Sequence, residues 1–240
     1  MQAVKRGRYR ARALRTGPGL EEALAFRRAC FGLCKAADKD SLDEICPHVI
    51  VQERSTADLV CYFRMNVMPA AEIGQSYAAR FYDVSALEDL EGPLLELGRF
   101  CLSPKCKDPD VLRVAWAAIT QVVDYHGVKL LFGCSSFEGI DPARYGQAFA
   151  LLKSTYLAPR PSAPRIKAPE VFEFSRLASA ARSEQEGRRE LPPLLRSYLA
   201  MGAWVSDHAV IDRTLNTLHV FTGLDVHAIP EGRKRLLRAL

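Results

Sequence analysis

The chain has 240 residues, of which 48% are hydrophobic and 25% are charged. This composition is ordinary for a globular protein and excludes a disordered or fibrous chain. No stretch approaches the ~18–20 consecutive apolar residues that span a bilayer, and the first 15 residues lack the apolar core of a signal peptide. We therefore expect a soluble, cytoplasmic protein.

Positive charge is concentrated at the two ends of the sequence. The net charge is +5, but residues 1–15 carry six cations and no acid, and residues 231–240 carry four cations and one acid. Residues 16–230 have a net charge of −4. Basic ends on a mildly acidic body predict an anionic partner, which is nucleic acid, an acidic protein or an anionic membrane.

Several common kinds of site are missing from the sequence. The seven cysteines lie mostly in apolar runs, which predicts reduced, buried thiols, and no Cys-x-x-Cys or His-x-x-x-His spacing predicts zinc. There is no phosphate-binding Gly-x-x-x-x-Gly-Lys-Ser loop, no dinucleotide fingerprint and no serine nucleophile elbow. No reading helix or aromatic platform for nucleic acid is recognisable.

Periods of two and 3.6 residues alternate over the first 150 residues, which predicts helices packed on a sheet. A strand is expected over Arg8–Leu14, and a helix from about Leu20 to Cys34. Two strands joined by a short turn are predicted by the segments HVIVQE, RSTAD and ADLVCYFRMNV.

The second half begins with the predicted strand LLELGRFCLS, and Asp108-Pro109 then starts a helix that ends at Gly127. The run VKLLFGCSSF predicts a buried strand, and Asp141-Pro142 starts a helix of the same design. Prolines and charges predict an exposed insertion at about 157–190 within a single domain over 1–240. A last helix and strand are predicted for LPPLLRSYLAMGAW and TLHVFTGLDV.

Glu96 is the leading candidate for acid–base chemistry. Alternation along its strand places Glu96 and Gly98 on one face and Arg99 on the other, in a strongly apolar run. Desolvation there favours the protonated carboxyl. It therefore raises the pKa of the carboxyl toward the range that is useful for a general base. An ion pair on an edge strand is the alternative interpretation.

Two arginines interrupt apolar patterns. Arg27 lies four residues before Phe31 on the helix stripe expected to face the sheet, so it requires a ligand or a buried acid, for which Asp40 and Asp43 are the candidates. The alternative is a stem that covers the core while the guanidinium stays in water. Arg64 interrupts the run LVCYFRMNV and requires a partner for the same reason.

The segment Gly133-Cys134-Ser135-Ser136 follows a buried strand. Its backbone N–H groups and hydroxyls are suited to bind a substrate, but the segment equally fits a tight exit from the strand.

Several segments in this order resemble the L-ornithine Nα-acyltransferases of ornithine lipid synthesis: DSLDEICPH, HVIV, YFRM, LLELGRFCL, KLLFGCSSFEGIDP and LPPLLRSYLAMGAWVSDHAVID. The resemblance covers about residues 8–225. Glu96-x-x-Arg99 and the Asp40 and Asp43 pair are more distantly similar to the acyl-homoserine-lactone synthases. The fold implied is α+β and GNAT-like, an α/β/α sandwich whose mixed, mostly antiparallel central sheet is flanked by helices.

The resemblance also implies a reaction, in which a 3-hydroxyacyl chain passes from acyl carrier protein to the α-amine of L-ornithine. The 4'-phosphopantetheine thioester of the carrier protein is then a co-substrate, and no bound cofactor or metal is expected. Glu96 is the implied base, and the implied substrate-binding residues are Arg27, Phe31, Asp40, Asp43, Arg64, Arg99, Ser135, Ser136 and Phe137. The acid pair would suit the δ-ammonium of ornithine.

The loop after Leu102 departs from acetyl-CoA users of this fold, which hold the pyrophosphate there with a glycine-rich loop at a helix N-terminus. This chain has SPKCKDPD instead, which weakens coenzyme A recognition. Lys105 and Lys107 are expected to dock the acidic carrier protein. The basic ends are expected to give peripheral contact with an anionic membrane on its cytoplasmic face, and no nucleic-acid partner is expected.

Two alternative functions remain. Phe100, directly after Arg99, is similar to the lactone synthases, although the segment PPLL argues against them. A non-catalytic module that binds carrier protein or lipid on the same fold is the second alternative.

Overall fold

A computed structural model describes residues 1–34, 38, 40–177 and 183–238, and the contacts among its Cα atoms group the chain into two units. The first unit consists of Met1–Val67, Leu95–Val128 and Glu231–Leu240, and the second of Met68–Leu94 and Lys129–Pro230. The single domain expected over 1–240 stays a prediction.

The strands are β1 Val4–Arg6, β2 Tyr9–Leu14, β3 His48–Glu53, β4 Leu59–Pro69, β5 Tyr82–Asp83, β6 Pro93–Leu102, β7 Leu130–Glu138, β8 Arg165–Ile166, β9 Val171–Glu173, β10 Trp204–Val205, β11 His208–Asp212 and β12 Thr217–Asp225. The helices of the described residues are α1 Pro18–Phe31, α2 Pro109–His126, α3 Gly146–Thr155, α4 Glu184–Glu190, α5 Pro193–Leu199 and α6 Glu231–Arg238.

In the first unit, β1 to β4 pair as consecutive antiparallel neighbours, and β6 lies beside β4. The hairpin expected from HVIVQE and ADLVCYFRMNV is confirmed as β3 and β4, with Val49 opposite Phe63. The strand pattern therefore predicted β2 and this hairpin correctly, whereas β1 was not predicted.

Helix α1 is shorter than the prediction of a helix to about Cys34. It ends at Phe31, because Gly32 adopts the left-handed conformation with φ 65° and its N–H bonds to the carbonyl of Arg28. Only Ala23 and Arg27 of this helix are buried.

Helix α2 has the predicted bounds. The carboxylate of Asp108 accepts a hydrogen bond from the N–H of Asp110 at 2.9 Å, which caps the N-terminus, and Gly127 ends the helix with φ 63°. Its buried residues are Val111, Val114, Ala115, Trp116, Ala117, Ala118 and Ile119.

In the second unit, β7, β12, β11 and β9 pair in this order as antiparallel neighbours. β10 also pairs with β12, where the ring of Trp204 covers Gly223 so closely that a Cβ there would lie 2.3 Å from it. The expected α+β fold with a mostly antiparallel sheet flanked by helices is confirmed.

Two boundaries in the second unit differ from the predictions. The helix expected from Asp141-Pro142 begins as a 3-10 turn over Pro142–Tyr145 and becomes α3 only at Gly146. The segment expected to be an exposed insertion at about 157–190 contains β9, which pairs with β11, and the buried Phe174. The prolines and charges around it concealed the short apolar alternation of Val171–Phe174.

Two histidines lie beneath Tyr82 in the core of the second unit. The hydroxyl of Tyr82 donates to the carbonyl of His219 at 2.8 Å and lies 3.0 Å from its Nδ1, and the Tyr82 and His208 rings are 5.3 Å apart. Burial, and then the neighbouring His208, lowers the pKa of His219 from 6.5 to about 3. His219 is therefore neutral in the folded protein at neutral pH.

Acid should destabilise the fold through this residue. Below pH about 6.5, His219 is protonated in the unfolded chain but not in the folded chain. The contribution of neutral His219 to the free energy of unfolding is therefore complete above that pH and is lost as the pH falls toward 3. The slope for one such group is about 1.4 kcal/mol per pH unit. His219→Gln should flatten the decline of the urea-unfolding free energy by about that slope, whereas the exposed His227→Gln should not; equal slopes in the first variant and the native chain would contradict this assignment.

Candidate active site

Arg27 of α1 lies at the centre of a buried ion-pair network in the first unit. Its guanidinium binds the carboxylate of Asp38 through Nε at 2.8 Å and that of Asp43 through Nη1 at 2.7 Å, and Nη1 also donates to the hydroxyl of Tyr62 at 3.0 Å. Nη2 donates to both carboxylates as well. Only 1% of the side chain is exposed, so Arg27 forms ion pairs inside the protein and is not a surface cation.

Arg64 extends the network from β4. It donates to Asp40 at 2.9 Å and to the same Oδ1 of Asp43 that Arg27 binds, again at 2.7 Å. The expectation that Arg64 needs a partner is confirmed. The expectation of a buried acid for Arg27 is confirmed: of the two candidates, Asp43 binds Arg27, and the carboxylate of Asp40 binds Arg64.

Tyr62 and His48 hold the network from the sheet. The Nε2 of His48 lies 2.9 Å from the carbonyl of Asp43, which can only accept, so Nε2 carries the proton. Nδ1 then accepts from the hydroxyl of Tyr62 at 2.7 Å. Burial lowers the pKa of His48 and keeps this neutral tautomer.

The charges of the network are mutually dependent. Burial opposes the ionisation of Asp43, but hydrogen bonds from Arg27 and the charges of Arg27 and Arg64 outweigh it, so the pKa of Asp43 lies below its usual range. Burial likewise opposes the charge of Arg27, and its hydrogen bonds to Asp43 and Asp38 reverse the effect, so its pKa is raised. Removing one member would leave a buried charge without compensation.

Arg99 of β6 contacts the same network, and its backbone conformation is strained. Its φ of 54° is in the left-handed region, which is rare for a residue with a side chain and concentrates at functional sites. Its guanidinium lies 3.6 Å from Asp40. The predicted alternation, with Gly98 and Arg99 on opposite faces, is therefore wrong: a Cβ on Gly98 would lie 3.7 Å from the Arg64 guanidinium, so both positions face the network.

Glu96 is buried in β6, with 3% of its surface exposed. It lies in the electrostatic environment of Cys46, whose thiol pKa is raised to about 11 by burial first and by the charges of Glu96, Asp40 and Asp43, against the opposing charge of Arg64. The carboxylate thus lies in the same buried region as the network. Its role as a general base stays a prediction.

Apolar side chains border the network on the α1 side. Phe31 packs, half-buried, against a cluster of Leu14, Ala23, Ile50, Tyr62 and Cys101. Phe100, next to Arg99, stacks on Phe63 with ring centroids 5.3 Å apart. These contacts give Phe31 a place in the core, and its substrate contact stays a prediction.

Lys105 and Lys107 are exposed in the loop between β6 and α2, and their contact with a carrier protein stays a prediction. The N-terminus of α2 that follows is already occupied by the Asp108 carboxylate, to which the hydroxyl of Tyr9 donates at 3.1 Å. A second anion such as a pyrophosphate would meet like charge at this helix end.

The three predicted substrate residues of the second unit differ in their surroundings. Ser135 is buried and its hydroxyl accepts a hydrogen bond from Thr222 at 2.8 Å, whereas Ser136 is exposed. Phe137 packs among aromatic rings, 4.9 Å from Tyr145 and 5.0 Å from Phe149. Their contact with a substrate stays a prediction.

Sequence reasoning missed three members of the network. Asp38 lies in an acidic run in which no hydrophobic periodicity distinguishes it from its neighbours. Tyr62 and His48, by contrast, could have been identified from their positions on the predicted strands. Tyr62 is two residues before Arg64 on β4 and so shares its face, and His48 lies directly opposite Arg64 across the β3–β4 pair.

The seven cysteines differ in their exposure. All seven cysteines are free thiols; Cys46, Cys61 and Cys101 are buried and Cys34 is exposed, so the expected burial holds only in part. Among the described residues, no group of three histidine, cysteine or acidic side chains is placed to hold a metal ion. No helix within those residues is long and apolar enough to cross a membrane.

Comparison with known proteins gives the same fold. The acetyltransferase (GNAT) domain family matches residues 24–117. The L-ornithine Nα-acyltransferase of Rhodobacter capsulatus is 30% identical over 203 residues, which are 81% of this chain and 76% of that protein. The enzyme of the same name from Brucella abortus is 28% identical over 217 residues, 87% of this chain and 77% of the relative.

Two solved structures are similar in fold. FeeM, an N-acyl amino acid synthase from uncultured soil microbes, matches with a TM-score of 0.51 and 12% identity over 97% of both chains. The loading GNATL domain of CurA from Lyngbya majuscula matches with a TM-score of 0.52 and 11% identity, over 91% of this chain and 98% of that domain. At these identities the likeness shows the GNAT fold alone.

The network yields a prediction for stability. Arg27→Met should lower the free energy of unfolding by about 3–5 kcal/mol, because it leaves the carboxylates of Asp38 and Asp43 buried with less compensation. The neighbouring Arg28→Met is the matched control, since no ion pair holds that half-buried side chain among the described residues. Urea unfolding measures both variants, and equal midpoints would show that the network contributes no stability.

Proposed function

The chain belongs to the family of L-ornithine Nα-acyltransferases, and from this premise we propose that it transfers a 3-hydroxyacyl group from acyl carrier protein to the α-amine of L-ornithine. The likeness to the relatives over four fifths of the chain supports the reaction. The observation that carries the mechanism is the buried carboxylate Glu96, on a strand that also presents Arg99 to a fixed network of arginines and aspartates.

The chemistry requires a base. An amine attacks a thioester only in its neutral form, and the C–N bond forms as the C–S bond to the phosphopantetheine breaks. Glu96 takes a proton from the attacking nitrogen, and the leaving thiolate receives a proton to become the free thiol of the carrier protein. The products are an N-acylated ornithine and the deacylated carrier protein.

The network supports this step by positioning. Arg27 and Arg64 together fix Asp38, Asp40 and Asp43, so the segment that carries these aspartates is tied to α1 and β4. Both carboxylates that were expected to bind the δ-ammonium are bonded to arginines, so we assign them to ordering the segment that shapes the amino-acid pocket. Arg99, in its strained conformation, is the arginine we assign to the substrate carboxylate or the phosphate of the phosphopantetheine.

The donor assignment rests on charge. Asp108 caps the helix end at which acetyl-CoA users bind pyrophosphate, which disfavours coenzyme A there. Lys105 and Lys107 are exposed beside it and complement an acidic protein surface. A carrier protein, which presents acidic side chains and a single phosphate, fits this arrangement better than free coenzyme A.

Replacing Glu96 tests the reaction and the base together. Purified protein with 3-hydroxyacyl carrier protein and ornithine should release the free carrier thiol, followed by mass spectrometry. Glu96→Gln should lower kcat by about 100- to 10,000-fold with unchanged affinity for the carrier protein, because it removes only proton transfer.

The exposed Glu91→Gln is the matched control and should retain full turnover. Unchanged turnover in Glu96→Gln would exclude Glu96 as the base. Release with S-adenosylmethionine instead of ornithine would assign the chain to lactone synthesis, and absence of release with either acceptor would point to a binding module.

The two lysines generate a separate prediction. Lys105→Glu with Lys107→Glu should raise KM for the acyl carrier protein roughly 10-fold at low salt and leave kcat at saturation nearly unchanged, since these side chains act on docking. Raising the salt should reduce the difference between variant and native chain. Reversal of the exposed Arg160 and Arg189 in the second unit serves as the charge-matched control, and an equal KM in both double variants would remove the lysines from the docking surface.

A further inference from the structure

Parts of the chain that are far apart in sequence meet at the C-terminal end of α2. A groove of about 590 Å³ is lined by Met1, Gln2, Gln121, Val122, Tyr125 and His126, so the first residues lie against the last turns of α2. Helix α6 packs against α2 as well, and Arg238 binds Asp124 through two hydrogen bonds of 2.8 and 3.0 Å. The two basic ends of the sequence therefore converge on one place.

Large apolar side chains protrude at this place. Tyr125 is 85% exposed, Leu236 on α6 is 63% exposed and Met1 is 43% exposed. Single exposed apolar residues are common, but these are three of the seven large ones recorded in the described chain, and they lie on elements that contact the same helix end.

The charge around them is positive. Lys234 pairs with Glu231 and Arg238 with Asp124, so the acids of α6 and of the last turn of α2 are neutralised within the unit. Arg233 and Arg235 are exposed, and among the described residues neither forms an ion pair.

We propose that this face, defined by Tyr125, Leu236, Met1, Arg233 and Arg235, binds the surface of an anionic bilayer. Aromatic and aliphatic side chains that stand among cations match the headgroup region, where rings and short apolar chains enter while arginines contact phosphates. An acidic protein would also satisfy the cations, and the carrier-protein assay below separates that partner from a bilayer.

The distance between this face and the carrier-docking lysines suggests a functional role for the face, and that role rests on the proposed function. Lys105 and Lys107 precede the N-terminus of α2, and a helix of 18 residues is about 27 Å long. Carrier protein at one end of α2 and bilayer at the other can therefore be bound at the same time. The acylated product is amphiphilic, so an enzyme held at the membrane releases it where it partitions.

Vesicle sedimentation of the full chain tests the face. The protein should sediment with vesicles of phosphatidylglycerol and phosphatidylcholine and remain in solution with phosphatidylcholine alone. Arg233→Gln with Arg235→Gln should lower the partition coefficient about 30-fold, the effect of two cations at an anionic surface. Tyr125→Ser with Leu236→Ser should lower it at least roughly 10-fold by removing apolar insertion.

The control is Arg160→Gln with Arg189→Gln, which removes the same charge from exposed positions of the second unit and should lower the partition coefficient far less. Thermal unfolding of each variant verifies that it folds. The proposal is overturned if the native protein does not bind the anionic vesicles, or if both face variants bind them as the native chain does. It is also overturned if the Arg233 and Arg235 variant raises KM for acyl carrier protein in vesicle-free buffer, or if that variant dissociates a dimer of the chain. Failure of the proposed function would show separately, as absence of thiol release from native protein in that vesicle-free assay.

Discussion

The buried pairing of Arg27 and Arg64 with three aspartates is the constraint on which the rest of the first unit depends. Asp38, Asp40 and Asp43 come from one short segment, whereas the arginines come from α1 and β4, so each ion pair is also a tertiary contact. Desolvating these charges costs several kcal/mol per ion, and replacing such a network with apolar residues is often neutral or stabilising. Stability alone therefore does not explain it. A geometric requirement does, because bidentate guanidinium contacts fix the segment far more narrowly than apolar packing would.

The same constraint explains why the catalytic candidates can be held in unfavourable states. The left-handed Arg99 and the buried Glu96 lie on one strand beside the network, and both a strained backbone and a desolvated carboxylate persist only where the surroundings are rigid. Tyr62 and His48 supply that rigidity with neutral hydrogen bonds, since a charged imidazole at this position would repel the two arginines. The depressed pKa of Asp43 has a further consequence of known sign: its ion pairs stabilise the fold above the ordinary pKa of an aspartate and are lost as acid protonates it.

Much of this fold could be predicted from the sequence, because its elements obey local rules. Asp108-Pro109 and Gly127 predicted the two ends of α2 correctly, because helix-capping and helix-terminating residues act on backbone groups within one helical turn. The end of α1 was mistaken because the apolar stripe continues past Gly32. Strand β9 was missed because prolines and charges surround its short apolar segment. Arg27 and Arg64 were identifiable as charges in apolar patterns, but which acid binds which arginine depends on the path of the segment in space. The choice between Asp40 and Asp43 for Arg27 therefore stayed open, and Arg99 was placed on the wrong face.

The capped end of α2 limits what the acyl donor can be. In a GNAT fold the free N–H groups at such a helix end are the natural site for a pyrophosphate, and here Asp108 accepts from one of them while Tyr9 fixes its carboxylate. An additional dianion would have to displace an internal hydrogen bond and approach a carboxylate. Under the proposed function, donor affinity comes from groups that do not compete for this end, and we assign it to the exposed Lys105 and Lys107, whose charges would act at longer range on a large acidic surface. A donor carried by a protein supplies such a surface, while coenzyme A does not, so the capped end and the two lysines favour acyl carrier protein for the same electrostatic reason.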